Sequence, residues 1–358
     1  MADPATQVTD ARLIAHVAAY HVAHGDLEAA HAALESLLPV LPIQRAEQEA
    51  IGAVWCDIAR AYVRRGAPAA AGQALANART LIEGIDVWRI EASIAELSGE
   101  TETALALWRR IAAAEPNNGT TWQALARACE EASQTREAVE AYLKAAQLDP
   151  SHSTILRIAR SVARLAPPTE EPASAERVRI AIIGSSTLDH LQAYLEVYCR
   201  TASFTPSFYL GAFDQYAPEI LDPAGALYAF DPEVIIVVIH GRALFPDLYQ
   251  DSFETETLTR REAADAVVSR VSTLLTSLTA RTKATVLFHT FATPQYSPLG
   301  PLDLRDDFGQ SALFATINEC LAARVRRDFP SVYLIDEDRI YGRIGKRNVT
   351  DPRLWSLA

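Results

Sequence analysis

The sequence predicts a chain in two parts: an all-α array of repeated helix pairs, then a three-layer α/β domain built on a parallel sheet. Three observations carry that reading. Trp55, Trp88 and Trp122 recur at steps of 33 and 34 residues, as Gly66, Gly99 and Ser133 do. From Val178 onward, short β-branched runs alternate with stretches of helical spacing. Between the two lies LAPPTEEPASAE, 165–176, with three prolines and three acidic residues, which cannot continue a helix and has little to bury. The expected division is a repeat array over 1–164, a linker over 165–176 and an α/β domain over 177–358.

In the array, one unit reads Trp122, Ala126, Ser133, Ala138, Tyr142, Ala145 and Pro150, and the unit before it Ala92, Gly99, Ala104, Trp108, Ile111 and Pro116. Small alanines let paired helices approach, a large side chain fills the gap between them, Gly or Ser relaxes the turn, and Pro ends the second helix. Earlier units carry Trp55, Tyr62, Gly66, Ala71, Leu75 and Ala78, and Ala18, Gly25, Ala30, Leu34 and Pro42, while Ser153 to Arg164 reads as a closing helix. Over residues 11 to 164 the pattern resembles the tetratricopeptide repeat family. That resemblance implies a curved superhelix that takes a partner's peptide or packs on another domain. A purely capping or dimerising array, and hence a homo-oligomer, is the alternative. His16, His21, His24 and His31 lie here too; His21 and His24 could share a helix face, but that pair has no carboxylate or cysteine at ligand spacing, so no metal site is expected.

Composition narrows the function classes. Apolar residues make up 49% and charged residues 22%, as in a globular protein. A net charge of −12 argues against nucleic acid as a partner, and Arg324, Arg326 and Arg327 read as the basic end of a helix. Cys56, Cys129, Cys199 and Cys320 show no metal or disulfide spacing and are expected as reduced core thiols. MADPATQVTDARL lacks the pattern of a signal peptide and no segment reads as a membrane span, so a cytoplasmic protein with no membrane partner is expected.

The α/β elements follow in order. Val178 to Ile183 is the first strand, Leu188 to Arg200 a helix, and Thr205 to Leu210 the second strand. Val234 to Ile239, VIIVVI, has the unbroken apolar character of a strand buried on both faces. Leu258 to Arg281 is a long helix, Ala284 to His289 the fourth strand, Leu313 to Val325 a helix, and Val332 to Ile335 the fifth strand. The strand ends then gather Gly184–Thr187, Gly211, His240–Arg242, Thr290 and Asp336 on one rim, where such sheets bind ligands.

The turn Gly184-Ser185-Ser186-Thr187 resembles the first block of the SGNH (GDSL) hydrolases, which places Ser186 at the nucleophile position with Ser185 before it. A serine hydroxyl needs a base, normally a histidine oriented by a carboxylate. That family takes both from a late Asp-x-x-His, but Asp351-Pro352-Arg353-Leu354 has no histidine. Its asparagine after the third strand is replaced by His240-Gly241-Arg242, so His240 is the candidate base. The bland alternative is that Ser185 and Ser186 cap the next helix. Gln215 and Tyr216 offer backbone N–H groups to an oxyanion, unless Tyr216 merely packs its loop. Arg242 and Arg353 suit a carboxylate or phosphate, such as a glycerate or a phosphopantetheine arm, unless they pair with Asp247 or Asp351.

A longer series resembles the N-terminal region of the FkbH-like family: GAFDQY from Gly211, Glu219-Ile-Leu221, LYAFDP from Leu227 before VIIVVI, TFATP from Thr290, Asn318-Glu319 within a helix, and DPRLW from Asp351. The family's implied role is acyl or glyceryl handling on carrier proteins in polyketide or saccharide-modifying pathways. Thr187, Gly211, Gln215, Tyr216, Arg242, Thr290, Asn318, Asp351 and Arg353 are the candidate substrate-binding residues. Its HAD phosphatase domain normally follows the DPRLW segment, so that chemistry is not carried over to these residues. Asp336-Glu337-Asp338 is expected as an exposed acidic strand end. No cofactor is called for, and a carrier protein or pathway enzyme is the expected partner. The competing readings are a non-catalytic interaction module and an SGNH-type esterase.

Overall fold

The computed structural model describes residues 4–35, 45–166, 176–250 and 257–349. The chain divides into two compact units, Met1–Pro167 and Pro168–Ala358. Most of the expected linker, and Pro42 of the first repeat, lie outside the described residues; Leu165 closes a helix and Glu176 opens a strand.

The first unit is a row of antiparallel helix pairs: α1 (Pro4–Ala23) with α2 (Leu27–Glu35), α3 (Arg45–Arg64) with α4 (Pro68–Arg79), α5 (Ile85–Ser98) with α6 (Thr101–Ala114), and α7 (Gly119–Glu131) with α8 (Thr135–Leu148), closed by α9 (His152–Leu165). The periodic alanines are the close-approach points. Ala59, Ala92 and Ala126 on the first helices, and Ala71, Ala104 and Ala138 on the second, are wholly buried. Trp55 is fully enclosed, its ring meeting His31 edge-on at 4.8 Å. Trp88 and Trp122 are half-buried; Arg110 lies 3.7 Å over the Trp88 ring, and Trp122 Nε1 donates to the Pro116 carbonyl at 2.9 Å. Arg109–Glu137 and Arg164–Glu130, each at 2.5 Å, tie successive pairs together.

The periodic Gly and Ser have one conformational cause. Gly25, Gly66, Gly99 and Ser133 take φ of 79°, 70°, 74° and 57°, and the N–H after each reaches back across the helix end, as from Glu100 to the Ala95 carbonyl and from Gln134 to that of Cys129. This is the left-handed residue of a Schellman turn, which glycine adopts at no steric cost. Ser133 occupies it with a Cβ, a strain of about 1–2 kcal/mol partly offset by the freer unfolded chain of glycine. Ser133→Gly is therefore expected to raise stability by about 0.5–1 kcal/mol, seen as an upward shift of the thermal midpoint by calorimetry.

The second unit runs β1 (Glu176–Gly184), α10 (Asp189–Thr201), β2 (Phe204–Leu210), α11 (Tyr216–Leu221), α12 (Ala226–Ala229), β3 (Val234–Val238), α13 (Gly241–Leu244), α14 (Asp247–Gln250), α15 (Thr257–Thr279), β4 (Thr285–His289), α16 (Gln310–Asp328), β5 (Val332–Ile335), α17 (Glu337–Ile344) and α18 (Lys346–Val349). A 3₁₀ turn, Gly300–Arg305, precedes α16. The sheet is wholly parallel in the order β2-β1-β3-β4-β5, the flavodoxin-like arrangement. Ala181, Ile183, Ile235, Val237, Val286 and Phe288 bury one face with residues of α11, α15 and α16, while Ile180, Ile182 and Ile236 on the other pack with Leu191 and Leu195 of α10. Because every strand points the same way, all five carboxyl ends open on one edge. The chain leaves β1 and β3 toward opposite sides, which makes that edge the topological switch point, where sheets of this order hold their ligands.

The cysteines need a correction. Cys56 and Cys129 are core thiols, but Cys199 is half-buried and Cys320 is exposed, since it falls off the buried stripe Leu313, Ile317, Leu321 and Val325 of α16. Among the described residues, no helix is long and apolar enough to cross a membrane.

Candidate functional site

The candidate site is the edge where β1, β3, β4 and β5 end. Gly184 closes β1 so near β3 that a Cβ there would sit 2.1 Å from the Val238 carbonyl oxygen. The Ser185 N–H donates to that same carbonyl at 2.9 Å, and Ser185 Oγ accepts the His240 N–H at 2.9 Å. Ser185, 8% exposed, thus joins the two strand ends, while Ser186 is half-buried and Thr187 exposed. The α10 N-cap is Leu188, with no side-chain cap, so neither serine caps that helix.

The adjoining strands bring a buried histidine against a carboxylate. His289 Nδ1 donates to the Thr290 carbonyl at 2.7 Å and lies 3.4 Å from Glu337 Oε2, and its Nε2 accepts the Ile239 N–H at 3.1 Å. Glu337 also accepts the Ala292 N–H at 3.1 Å, and its own N–H donates to Thr290 Oγ1 at 3.0 Å. Burial would raise the Glu337 pKa, but bonding and charge from His289, with Tyr341 and the Ala292 N–H, hold it below the usual carboxylate range. At His289 burial opposes the imidazolium, yet Glu337 outweighs it and lifts the pKa. Burial lowers the His240 pKa; Glu337 pulls against that shift, while His289 and Arg242 add to it. The His240 ring is accordingly neutral near pH 7. Burial and then the Glu337 charge push the Tyr249 and Tyr341 phenols upward, so both stay protonated.

The other candidates occupy distinct places. Arg242 lies in the short helix α13 after His240, with its guanidinium carbon 5.2 Å from the centre of the Tyr249 ring. Gly211 follows β2 and lies against Glu219, whose Oε1 accepts the Ala212 N–H at 2.9 Å. Gln215 is exposed, whereas Tyr216 is 5% exposed and belongs to the core, the packing role. Asn318 has its amide committed to the Phe291 backbone, accepting the N–H at 2.9 Å and donating to the carbonyl at 2.8 Å. It shapes the loop after β4. Asp351 and Arg353 lie outside the described residues. Among the described residues, no group of three or more His, Cys, Asp or Glu is placed to hold a metal ion.

The acidic strand end is a second correction. Asp336 is exposed and caps α17 through the Arg339 N–H, but Glu337 is largely buried against His289. Asp338 is half-buried, pairing with Lys346 at 2.7 Å and accepting the Thr293 N–H at 2.8 Å. The start of α17 turns these two carboxylates back over the loop after β4. Sequence reasoning did not select His289, Glu337, Tyr249 or Tyr341. The available signal was a histidine ending an otherwise apolar buried strand.

No model of a known protein family matches the sequence, and no curated protein matches it. Among solved structures, one similar chain is the N-terminal part of the protein BF1531 from Bacteroides fragilis, which contains a phosphatase domain complexed with Mg; identity is 13%, the TM-score 0.47, and the match covers 58% of this chain. The match spans 50% of that solved N-terminal part. MamA from Desulfovibrio magneticus RS-1 is 15% identical with a TM-score of 0.38, over 54% of this chain and 98% of its own. YrrB, described as a TPR protein with an unusual peptide-binding site, is 14% identical with a TM-score of 0.37, over 51% of this chain and 84% of its own.

Proposed function

We propose that this chain is an acyl- or glyceryl-handling accessory protein of a polyketide or saccharide-modifying pathway, its repeats recruiting a carrier protein or pathway enzyme and its α/β crevice receiving the acyl-bearing arm. One observation supports the reading: the His240 N–H bond to Ser185 Oγ joins the Gly184–Thr187 turn to the turn that begins at His240, at the β1–β3 switch point. Ser186 is the reacting hydroxyl, since Ser185 is buried and engaged with the backbone of β3. In an acyl transfer, Ser186 Oγ bonds the thioester carbonyl carbon while its proton passes to neutral His240. The carbon–sulfur bond then breaks and the thiol leaves with that proton. Arg242 suits an anionic group on the incoming arm.

The test is turnover of a short acyl thioester by the full chain. Wild type is expected to release thiol, with Ser186→Ala lowering the rate by about 10³-fold or more and Ser185→Ala acting chiefly on stability. Equal rates for wild type and Ser186→Ala would sink the catalytic reading. In that case the interaction-module reading is measured by calorimetric titration with a holo carrier protein.

A further inference from the structure

The chain leaves β3 through two backbone amides, and a side chain from a neighbouring strand holds each. The Ile239 N–H donates to His289 Nε2 at 3.1 Å, and the His240 N–H donates to Ser185 Oγ at 2.9 Å. His289 is 8% exposed and is itself fixed from its other nitrogen, by the Thr290 carbonyl at 2.7 Å and by Glu337 at 3.4 Å. Glu337 is anchored in turn by the Ala292 N–H at 3.1 Å. An N–H aimed at Nε2 requires the lone pair of that nitrogen, so the ring is held as the Nδ1–H tautomer. His289 cannot accept a ligand's proton without releasing Ile239.

From this arrangement we infer that His289 and Glu337, together with Ser185, form a clamp that positions His240 at the mouth of the crevice. The inference rests on the reading of His240 as the base of the site. His289 and Glu337 are positioning residues: they act on the ligand through the backbone of Ile239–His240 and through the field around the His240 ring. The ionisable groups bearing on that ring are Glu337 from α17, His289 from the end of β4 and Arg242 from its own turn. Tyr249 and Tyr341 adjoin the same carboxylate. Two otherwise separate facts then have one cause: a histidine ends an apolar strand, and a carboxylate folds inward at the start of α17.

The test uses the full chain with His289→Ala, His289→Gln and Glu337→Gln. In His289→Ala, amide exchange in the peptide spanning Ile239 and His240 is expected to accelerate about tenfold or more, and kcat for thioester turnover to fall about a hundredfold with KM little changed. Glutamine places an amide oxygen near the Nε2 position, so His289→Gln is expected to recover most of both losses. Glu337→Gln keeps an acceptor for the Ala292 N–H but removes the charge, so the His240 titration midpoint in imidazole ¹⁵N spectra is expected to move downward. Wild-type exchange in a folded His289→Ala, no advantage of glutamine over alanine, or an unmoved His240 midpoint in Glu337→Gln would each overturn the clamp. Exchange and the ¹⁵N spectra need no activity. A chain that fails the Ser186 test therefore loses the catalytic reading while the clamp is still decided on its own.

Discussion

Gly184→Ala is expected to disrupt the α/β unit and its crevice together. The added Cβ would stand 2.1 Å from the Val238 carbonyl oxygen and 3.0 Å from its carbon, inside the distance real Cβ atoms keep. The obstacle is backbone in a central strand, so no side-chain rotation relieves it. β1 and β3 are paired from Ile180–Val234 to Gly184–Val238, and relief means parting that end of the ladder. The same shift breaks the Ser185 N–H bond to Val238 and the His240 N–H bond to Ser185. Overpacking of this kind costs about 3 kcal/mol or more, a large share of a typical domain's stability. Hydrogen exchange resolved by mass spectrometry is expected to show β1 and β3 peptides losing protection while the peptides of α5 to α8 keep theirs. Unchanged protection at β1 would contradict the close approach.

Asp303→Ala is expected to cost about 3 kcal/mol, because the N–H groups of buried Gln310 and half-buried Ser311 both lose their carboxylate acceptor. Asp303 is 5% exposed; its Oδ1 accepts Ser297 Oγ–H and the Gln310 N–H, both at 2.7 Å, and its Oδ2 accepts the Ser311 N–H at 3.2 Å. The N-cap of α16 is Gly309, which has no side chain to do this, so a carboxylate from the preceding 3₁₀ turn serves instead. Burial works against the Asp303 charge, but the bonds from Ser311, Ser297 and Gln310 outweigh it and hold the pKa low. Asp303→Asn keeps an acceptor and is expected to lose about half as much. Because α16 carries Asn318, which fixes Phe291 beside His289, the alanine variant is also expected to loosen the loop after β4. Urea unfolding monitored by circular dichroism measures the first effect, and exchange at Phe291 and Ala292 the second.

How much of this was legible in the sequence depends on the range of each interaction. The repeats were readable because each unit meets only its neighbours, so the same packing demand returns at every step: Ala59, Ala92 and Ala126 bury the same contact, and Gly66, Gly99 and Ser133 make the same turn. The central strand was readable because a parallel sheet buries both faces, leaving VIIVVI no polar positions. That the Ser185–Ser186 turn and His240 meet at the carboxyl edge of the sheet was readable as well, from the alternation of strands and helices. What was not readable was partnership across strands. His289 meets Ile239 and Glu337 only once β4 is set between β3 and β5, an order that no local spacing encodes. Adjacent residues separated for the same reason. Ser185 and Ser186 are chemically alike, and only the turn's geometry sends one to the backbone of β3 and leaves the other at the rim. Asn318 looked like a ligand-binding amide, yet the loop after β4 uses both of its ends.

The central claim is that Ser186, beside a neutral His240 at the β1–β3 switch point, is the reacting hydroxyl of the crevice. Its most direct measurement is covalent labelling of the full chain with a fluorophosphonate, mapped by peptide mass spectrometry near pH 8. The account predicts one modified site, Ser186, with labelling abolished in Ser186→Ala and slowed in His240→Gln. Labelling that spares Ser186, or that is unaltered in Ser186→Ala, would contradict it.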